Sequence, residues 1–173
     1  MTRSRTLPRL GRAVTFGLLA AVAARVLLFT SYRVSGSSMR EALQDGDHIL
    51  VCEPGWLGPT SVGDAVIAQV EHEVLVKRIA AGPGDRIGMS AGRVLRNGEP
   101  VPEAVPPALE TADSFPEVAL GPDEYFLLGD NRRVSVDSRD FGPVHAAQLL
   151  GRVVLRFHGG GVSAVAALER APR

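Results

Sequence analysis

At 173 residues the chain is long enough for one compact domain with its own core and too short for a large multidomain assembly. Its 19 basic and 19 acidic residues balance only overall: residues 1–33 hold six arginines and no acid, so the remainder carries 13 basic against 19 acidic groups, net −6. That acidic body lacks the basic footprint a phosphate backbone requires, which excludes nucleic acid as a partner, and the single cysteine, Cys52, excludes a disulfide framework and a thiolate metal cluster.

Residues 1–12 are basic and polar, and residues 13–32 form an apolar stretch broken only by Arg25 and a few small polar residues. Twenty such residues can cross a bilayer core as a transmembrane helix. Four arginines before the stretch, with no acid, place the N-terminus on the cytoplasmic side and everything after Tyr32 on the outer face of the cell membrane. Arg25 opposes insertion by about 2.5–3.5 kcal/mol at mid-bilayer, but near the outer end it can snorkel to the interface. Two other readings compete: a buried core helix, and a cleaved secretory signal with Ala21-Val22-Ala23 as its site. A retained single-pass anchor, with the lipid bilayer as a partner, is the reading adopted.

Beyond the anchor the chain reads as mainly β. Residues 48–52, 65–70, 73–80, 124–128 and 151–157 are short runs rich in branched or aromatic side chains, punctuated by Gly, Pro, Asp and Asn. Asn97-Gly98 between residues 93–96 and 99–101 is a hairpin-turn signal. Residues 99–123, rich in Pro, Glu and Ala, read as a loop or a small surface subdomain. Helical content after residue 32 should be low. The four histidines (His48, His72, His145, His158) have no metal-ligand spacing, so no metal and no cofactor is expected.

Lys77 is the only lysine, while the other 18 basic residues are arginines. Arginine stays protonated in proteins, whereas a buried lysine can lose its proton, so a function that needs a neutral amine cannot use arginine. In an extended segment the period of two puts Leu75, Lys77 and Ile79 on one face, where apolar neighbours would desolvate the ammonium and lower its pKa. Lys77 is therefore a candidate general base, set against the plain alternative of a surface or snorkelling lysine. A hydroxyl lies within Ser35-Gly36-Ser37-Ser38-Met39, directly after the anchor, although serines in such loops are commonly turn formers or helix caps.

Taken together, these blocks resemble the type I signal peptidase family. Residues 25–34 look like the end of the family's anchor, and Ser38-Met39 is similar to its serine block, which implies Ser38 as the nucleophile. Gly63-Asp64-Ala65-Val66 resembles a structural block. Val76-Lys77-Arg78-Ile79 through Gly82-Pro83-Gly84-Asp85 resembles the lysine block, with Lys77 at the base position. Gly129-Asp130-Asn131-Arg132, Ser135, Asp137-Ser138-Arg139 and Gly142 match the last block, the most specific of them. The resemblance implies coiled antiparallel sheets and a serine endopeptidase that cleaves signal peptides from exported preproteins after small residues. It also implies that Ser135 orients the lysine amine, and that Asp137 and Arg139, on the strand face of Ser135 if that segment is extended, form a supporting ion pair. Gly36 stands where some relatives carry a hydroxyl, so the oxyanion hole is expected to be built from backbone.

After the Ser-Met pair the family usually shows one residue and then Pro-Thr-Leu; here Arg40 precedes Glu41-Ala42-Leu43. That departure keeps open a narrower relative acting on one dedicated precursor. An inactive membrane-tethered binding module is the reading of another class. The organisation expected is a basic N-terminus over 1–12, an anchor over 13–32, a catalytic domain over 33–158 and a tail over 159–173. Within the catalytic domain, about 86–123 forms a small variable part.

Overall fold

The computed structural model describes residues 28–101 except 41, residues 114–165 and, nearer the N-terminus, positions 11, 13–17, 19 and 23. Twelve strands among them pair antiparallel in two sheets. The larger takes β1 (Phe29–Arg33), β2 (His48–Cys52), β3 (Ala65–Val70), β4 (Glu73–Ala81), β9 (Glu124–Leu128), β10 (Val144–His145), β11 (Leu149–His158) and β12 (Gly161–Ala164). Its order is β1-β2-β11-β3-β4-β9-β10, with β12 added to β11. The smaller sheet runs β7-β6-β5-β8, from β5 (Arg86–Ser90), β6 (Arg93–Arg96), β7 (Glu99–Pro100) and β8 (Phe115–Ala119).

Each of the five predicted runs is a strand, and the two longest extend slightly beyond expectation, β4 to Ala81 and β11 over Leu149–His158. Asn97 and Gly98 turn β6 into β7 with φ of 55° and 84°, the left-handed pair that a tight hairpin with right-twisted strands requires. The expected transmembrane helix over residues 13–32 falls partly outside the described residues, and no helix among the described ones is long and apolar enough to cross a membrane. Its final part is corrected: residues 29–32 are strand, with Phe29 opposite Cys52 and Tyr32 opposite Ile49. The β-prone sequence Phe-Thr-Ser-Tyr finds a ready edge on β2, and pairing there overrides continuation of a helix.

β3 shows how the sheet organises the core. Ala65 and Ile67 join Val34, Met39, Leu43, Ile49, Val51 and Val153 on one face, while Val66 and Ala68 join Ile79, Leu127, Val144 and Leu149 on the other. Strict alternation with four consecutive buried residues is the signature of a strand covered on both sides. A third cluster, including Ile87, Met89, Val94, Phe126 and Leu128, links the small sheet to β9, with Phe115 and Phe126 stacked at 5.4 Å.

Candidate active site

Ser38 occupies the turn between β1 and β2. Its successor fixes it: Met39 is 1% exposed and plugs into the core beside Leu43 and Val34, so the turn is pinned from below while Ser38 stays half-buried. Within the turn, Leu43 N–H and Ala42 N–H both donate to the Met39 carbonyl, at 2.6 and 3.0 Å. Gly36 adopts φ of 94°, a conformation glycine takes without strain, and its N–H donates to Asp45 Oδ1 at 2.8 Å. That amide is therefore committed to shaping the turn and is not spare for an oxyanion. Asp47 holds the far end: its backbone carbonyl accepts from Val34 N–H, and its carboxylate accepts from Gln44 N–H and faces His158 Nδ1 at 2.5 Å. Burial would push this carboxyl up, but the Gln44 hydrogen bond together with His158 and Arg156 holds it below the usual range.

Lys77 lies in β4, opposite Val66 of β3, and Leu75 lies opposite Ala68, so the lysine shares its face with apolar neighbours. It is 3% exposed. Burial pulls its pKa below the ordinary 10.5, opposed chiefly by the negative charge of Asp137 and assisted by the positive charge of Arg139. Ser38 and Lys77 line one cleft of about 110 Å³, walled by Val34, Ile49, Ile67 and Leu75.

The segment 129–142 wraps this pair. Asn131 N–H donates to the Ser38 carbonyl at 2.8 Å and Asn131 Nδ2 to the Ser37 carbonyl at 3.2 Å, tying the serine turn to the end of β9. Asp130 takes a bidentate pair from Arg78 Nε and NH2, both at 2.7 Å, in a buried setting, and Arg78 NH1 reaches the Gly63 carbonyl at 2.7 Å. Arg78 is the residue after Lys77, so β4, the Gly63-Asp64 turn and the 129–131 strap are locked around the lysine. Asp64 in turn accepts from Ser61 N–H and Arg152 NH1.

Ser135, Asp137 and Arg139 are brought to the same place, but not by an extended strand. Asp137 caps a one-turn helix, α1 (Ser138–Phe141), accepting from Arg139 N–H at 3.2 Å while Asp140 Oδ2 accepts Asp137 N–H at 2.9 Å. Asp-Ser-Arg-Asp places acidic side chains at the cap and three residues later, and these two capping bonds outcompete extension. The expected ion pair is formed: Arg139 Nε donates to fully buried Asp137 at 2.8 Å, and Asp137 Oδ2 also accepts Gly129 N–H at 3.0 Å. Ser135 Oγ is buried and has no hydrogen-bond partner among the described residues, so the bond to Lys77 expected of it is not made in this arrangement.

The match of a family model described as "Signal peptidase, peptidase S26" covers residues 7–158 of this chain. The chain belongs to this signal peptidase family. A "Probable signal peptidase I-2" of Synechocystis is 32% identical over 86% of this chain and 72% of that protein. A "Signal peptidase I" of Bacillus amyloliquefaciens is 34% identical over 75% of each chain, and "Signal peptidase I T" of Bacillus subtilis is 32% identical over 75% of this chain and 74% of that one. The crystal structure of a signal peptidase I from Enterococcus faecalis superposes with a TM-score of 0.47 and 23% identity, covering 54% of this chain and 95% of that one.

Within this signal peptidase family member, sequence reasoning missed the positioning roles of Asp130, Asn131, Arg78 and Asp45. Asp130, Asn131 and Arg78 sit inside recognised blocks, yet a chain alone does not say that Arg78 reaches Asp130. Only the alignment of β4 with β9, Arg78 opposite Leu128, brings them within reach. Of the departure after Met39, Glu41 lies outside the described residues, while Ala42 is half-buried against the core that holds the turn.

Proposed function

We propose that the protein is a membrane-anchored serine endopeptidase that removes signal peptides from exported preproteins, with Ser38 as nucleophile and Lys77 as general base. The observation that carries this reading is the shared cleft: the Ser38 side chain and the chain's one lysine line the same narrow space. Neutral Lys77 Nζ takes the Ser38 Oγ proton as Oγ bonds to the scissile carbonyl carbon. The oxyanion is met by Ser38 N–H, since the Gly36 amide is engaged by Asp45. The lysine ammonium then protonates the departing amine of the mature protein, leaving the signal peptide as an ester on Ser38. A water that gives its proton to Lys77 hydrolyses that ester and restores the serine.

A cleft of about 110 Å³ suits small side chains before the cut. The apolar, acid-free segment 13–28, ahead of β1, supports the anchor, with the catalytic domain on the outer membrane face. Ser135, whose buried hydroxyl lacks a partner among the described residues, is suited to receive the lysine amine when substrate shifts its rotamer. Asp137 and Arg139 fix the segment that carries it. The test is incubation of the detergent-solubilised full chain with a set of preproteins, with the cut sites read by mass. Single cuts after small residues at the signal-peptide junction support the reading. Intact preproteins, or cuts unaffected by Ser38→Ala, overturn it.

A further inference from the structure

A second cavity, of about 500 Å³, opens between the segment 132–140 and the small sheet. It shares no lining residue with the Ser38–Lys77 cleft, yet it begins beside it, because Ser135 forms part of its wall. The point where a Cβ on Gly129 would sit is 2.2 Å from Ser135 Oγ and 2.8 Å from the Ser38 carbonyl oxygen, so no more than those two distances together separates the oxygens. An extended peptide advances about 3.3 Å per residue, which carries the second and third residues after the scissile bond roughly 7–10 Å beyond it. With the residues before the cut seated in the narrow cleft, those after it pass Ser135 and lie over the second cavity.

The charge of this cavity is unlike that of the domain around it. Residues 34–173 are net −6, whereas the cavity is lined by Arg132, Arg133 and Arg139 against the single carboxylate of Asp140. Arg139 is paired with buried Asp137, and Asp140 Oδ2 accepts the Asp137 N–H. Even with Asp137 counted beside its partner, the cavity keeps a positive excess. Arg132 is oriented by donation from Nε to the Gly129 carbonyl at 2.9 Å, and Arg133 stands exposed at the rim. Met89 of β5 and Phe115 of β8 add apolar lining. Guanidinium groups beside apolar side chains suit a carboxylate carried on a methylene stem, which the planar fork grips through two N–H groups. We propose that this cavity receives the mature protein just after the cut, and that Arg133, with Arg132, selects an acidic side chain at the second or third position. The proposal rests on the endopeptidase reading given above and adds to it a selection by charge after the cut, where the Ser38–Lys77 cleft selects by size before it. Two preproteins with the same signal peptide are then processed at different rates.

In the test, the full chain, solubilised in detergent, is given one preprotein in three forms, with Glu, Gln or Lys at both the second and third positions after the cut. The expected order of kcat/KM is Glu, then Gln, then Lys, in steps of roughly three- to five-fold that are carried by KM rather than kcat and narrowed by added salt. Arg133→Gln should flatten this order and Arg133→Glu should invert it, whereas a side chain that only supports the fold would slow all three forms alike. A Glu preference that survives Arg133→Glu overturns the proposal. Cleavage of all three forms at the signal-peptide junction with equal kcat/KM also overturns it and leaves the endopeptidase reading standing. Cleavage of none of them refutes that reading, and the proposal with it.

Discussion

The backbone N–H of Asn131 donates to the carbonyl oxygen of Ser38 at 2.8 Å, so the proposed nucleophile is held from the far end of the chain. Gly129, two residues earlier, makes this approach possible. A Cβ built on Gly129 would lie 2.2 Å from Ser135 Oγ and 2.8 Å from the Ser38 carbonyl oxygen. The first contact involves a short side chain, but the second involves backbone that cannot rotate away.

Gly129→Ala should therefore displace the serine turn. Misplacing a reacting group by about 1 Å costs on the order of 10²-fold, so we expect kcat to fall by at least that factor while the sheet remains folded by circular dichroism. Ser135→Gly in the same chain should restore part of the stability and little of the activity, because the clash with Ser38 remains. Near-normal turnover of Gly129→Ala would show that the turn is not held by this strap.

The proposed dyad predicts that Ser38→Ala and Lys77→Met are each inactive and that the double variant is no worse than either, since residues acting as one unit are non-additive. Lys77→Arg should also be inactive, because arginine cannot give up its proton. With Lys77 only 3% exposed, however, arginine overfills the site, so methionine, close in shape and uncharged, is the cleaner substitution. Activity in Lys77→Met on a preprotein substrate would remove the lysine as base.

The Arg78–Asp130 pair is buried, bidentate and shared with the Gly63 carbonyl. Removing one member leaves an unpaired buried charge, so Asp130→Ala should lower stability by about 3–5 kcal/mol in urea unfolding. Arg78→Met with Asp130→Leu should cost clearly less than the two single changes combined, because both charges leave together. Simple additivity would mean that the pair is not coupled.

Much of this architecture is legible in the chain because local and global preferences agree. The run at β3 alternates between two cores, Asn97-Gly98 demands its hairpin, and a lone lysine among arginines marks itself out. Where two local preferences compete, the chain alone misleads. Residues 29–32 continue an apolar segment yet pair with β2, and residues 135–139 alternate like a strand yet are captured by the Asp137 cap. The hydrogen bonds that hold Ser38 were out of reach for another reason. Asn131 and Asp45 matter only once the register of β9 and the course of the turn are fixed, and no spacing in the sequence encodes either.

The charges around Lys77 predict a pH dependence with opposite responses to two substitutions. Burial holds its folded-state pKa below the ordinary 10.5, so the active neutral amine forms at lower pH than in a free lysine, and kcat/KM should rise with pH along one limb. The sign for stability follows from proton counting. Between the depressed folded pKa and the unfolded value the unfolded chain binds the extra proton, so this residue makes stability rise with pH across that window, and Lys77→Met should abolish that rise. Asp137 is the largest charge favouring the ammonium, and Arg139 the largest opposing it. Asp137→Asn should move the activity limb to lower pH, although it lowers stability by leaving Arg139 without its buried partner. Arg139→Met removes the opposing charge and should move the limb to higher pH. The measurement is kcat/KM against pH for the three proteins on one preprotein substrate, with unfolding followed in parallel to separate stability from titration. A limb that shifts the same way in both variants, or stays fixed in both, would mean that the titrating group is not the Lys77 amine.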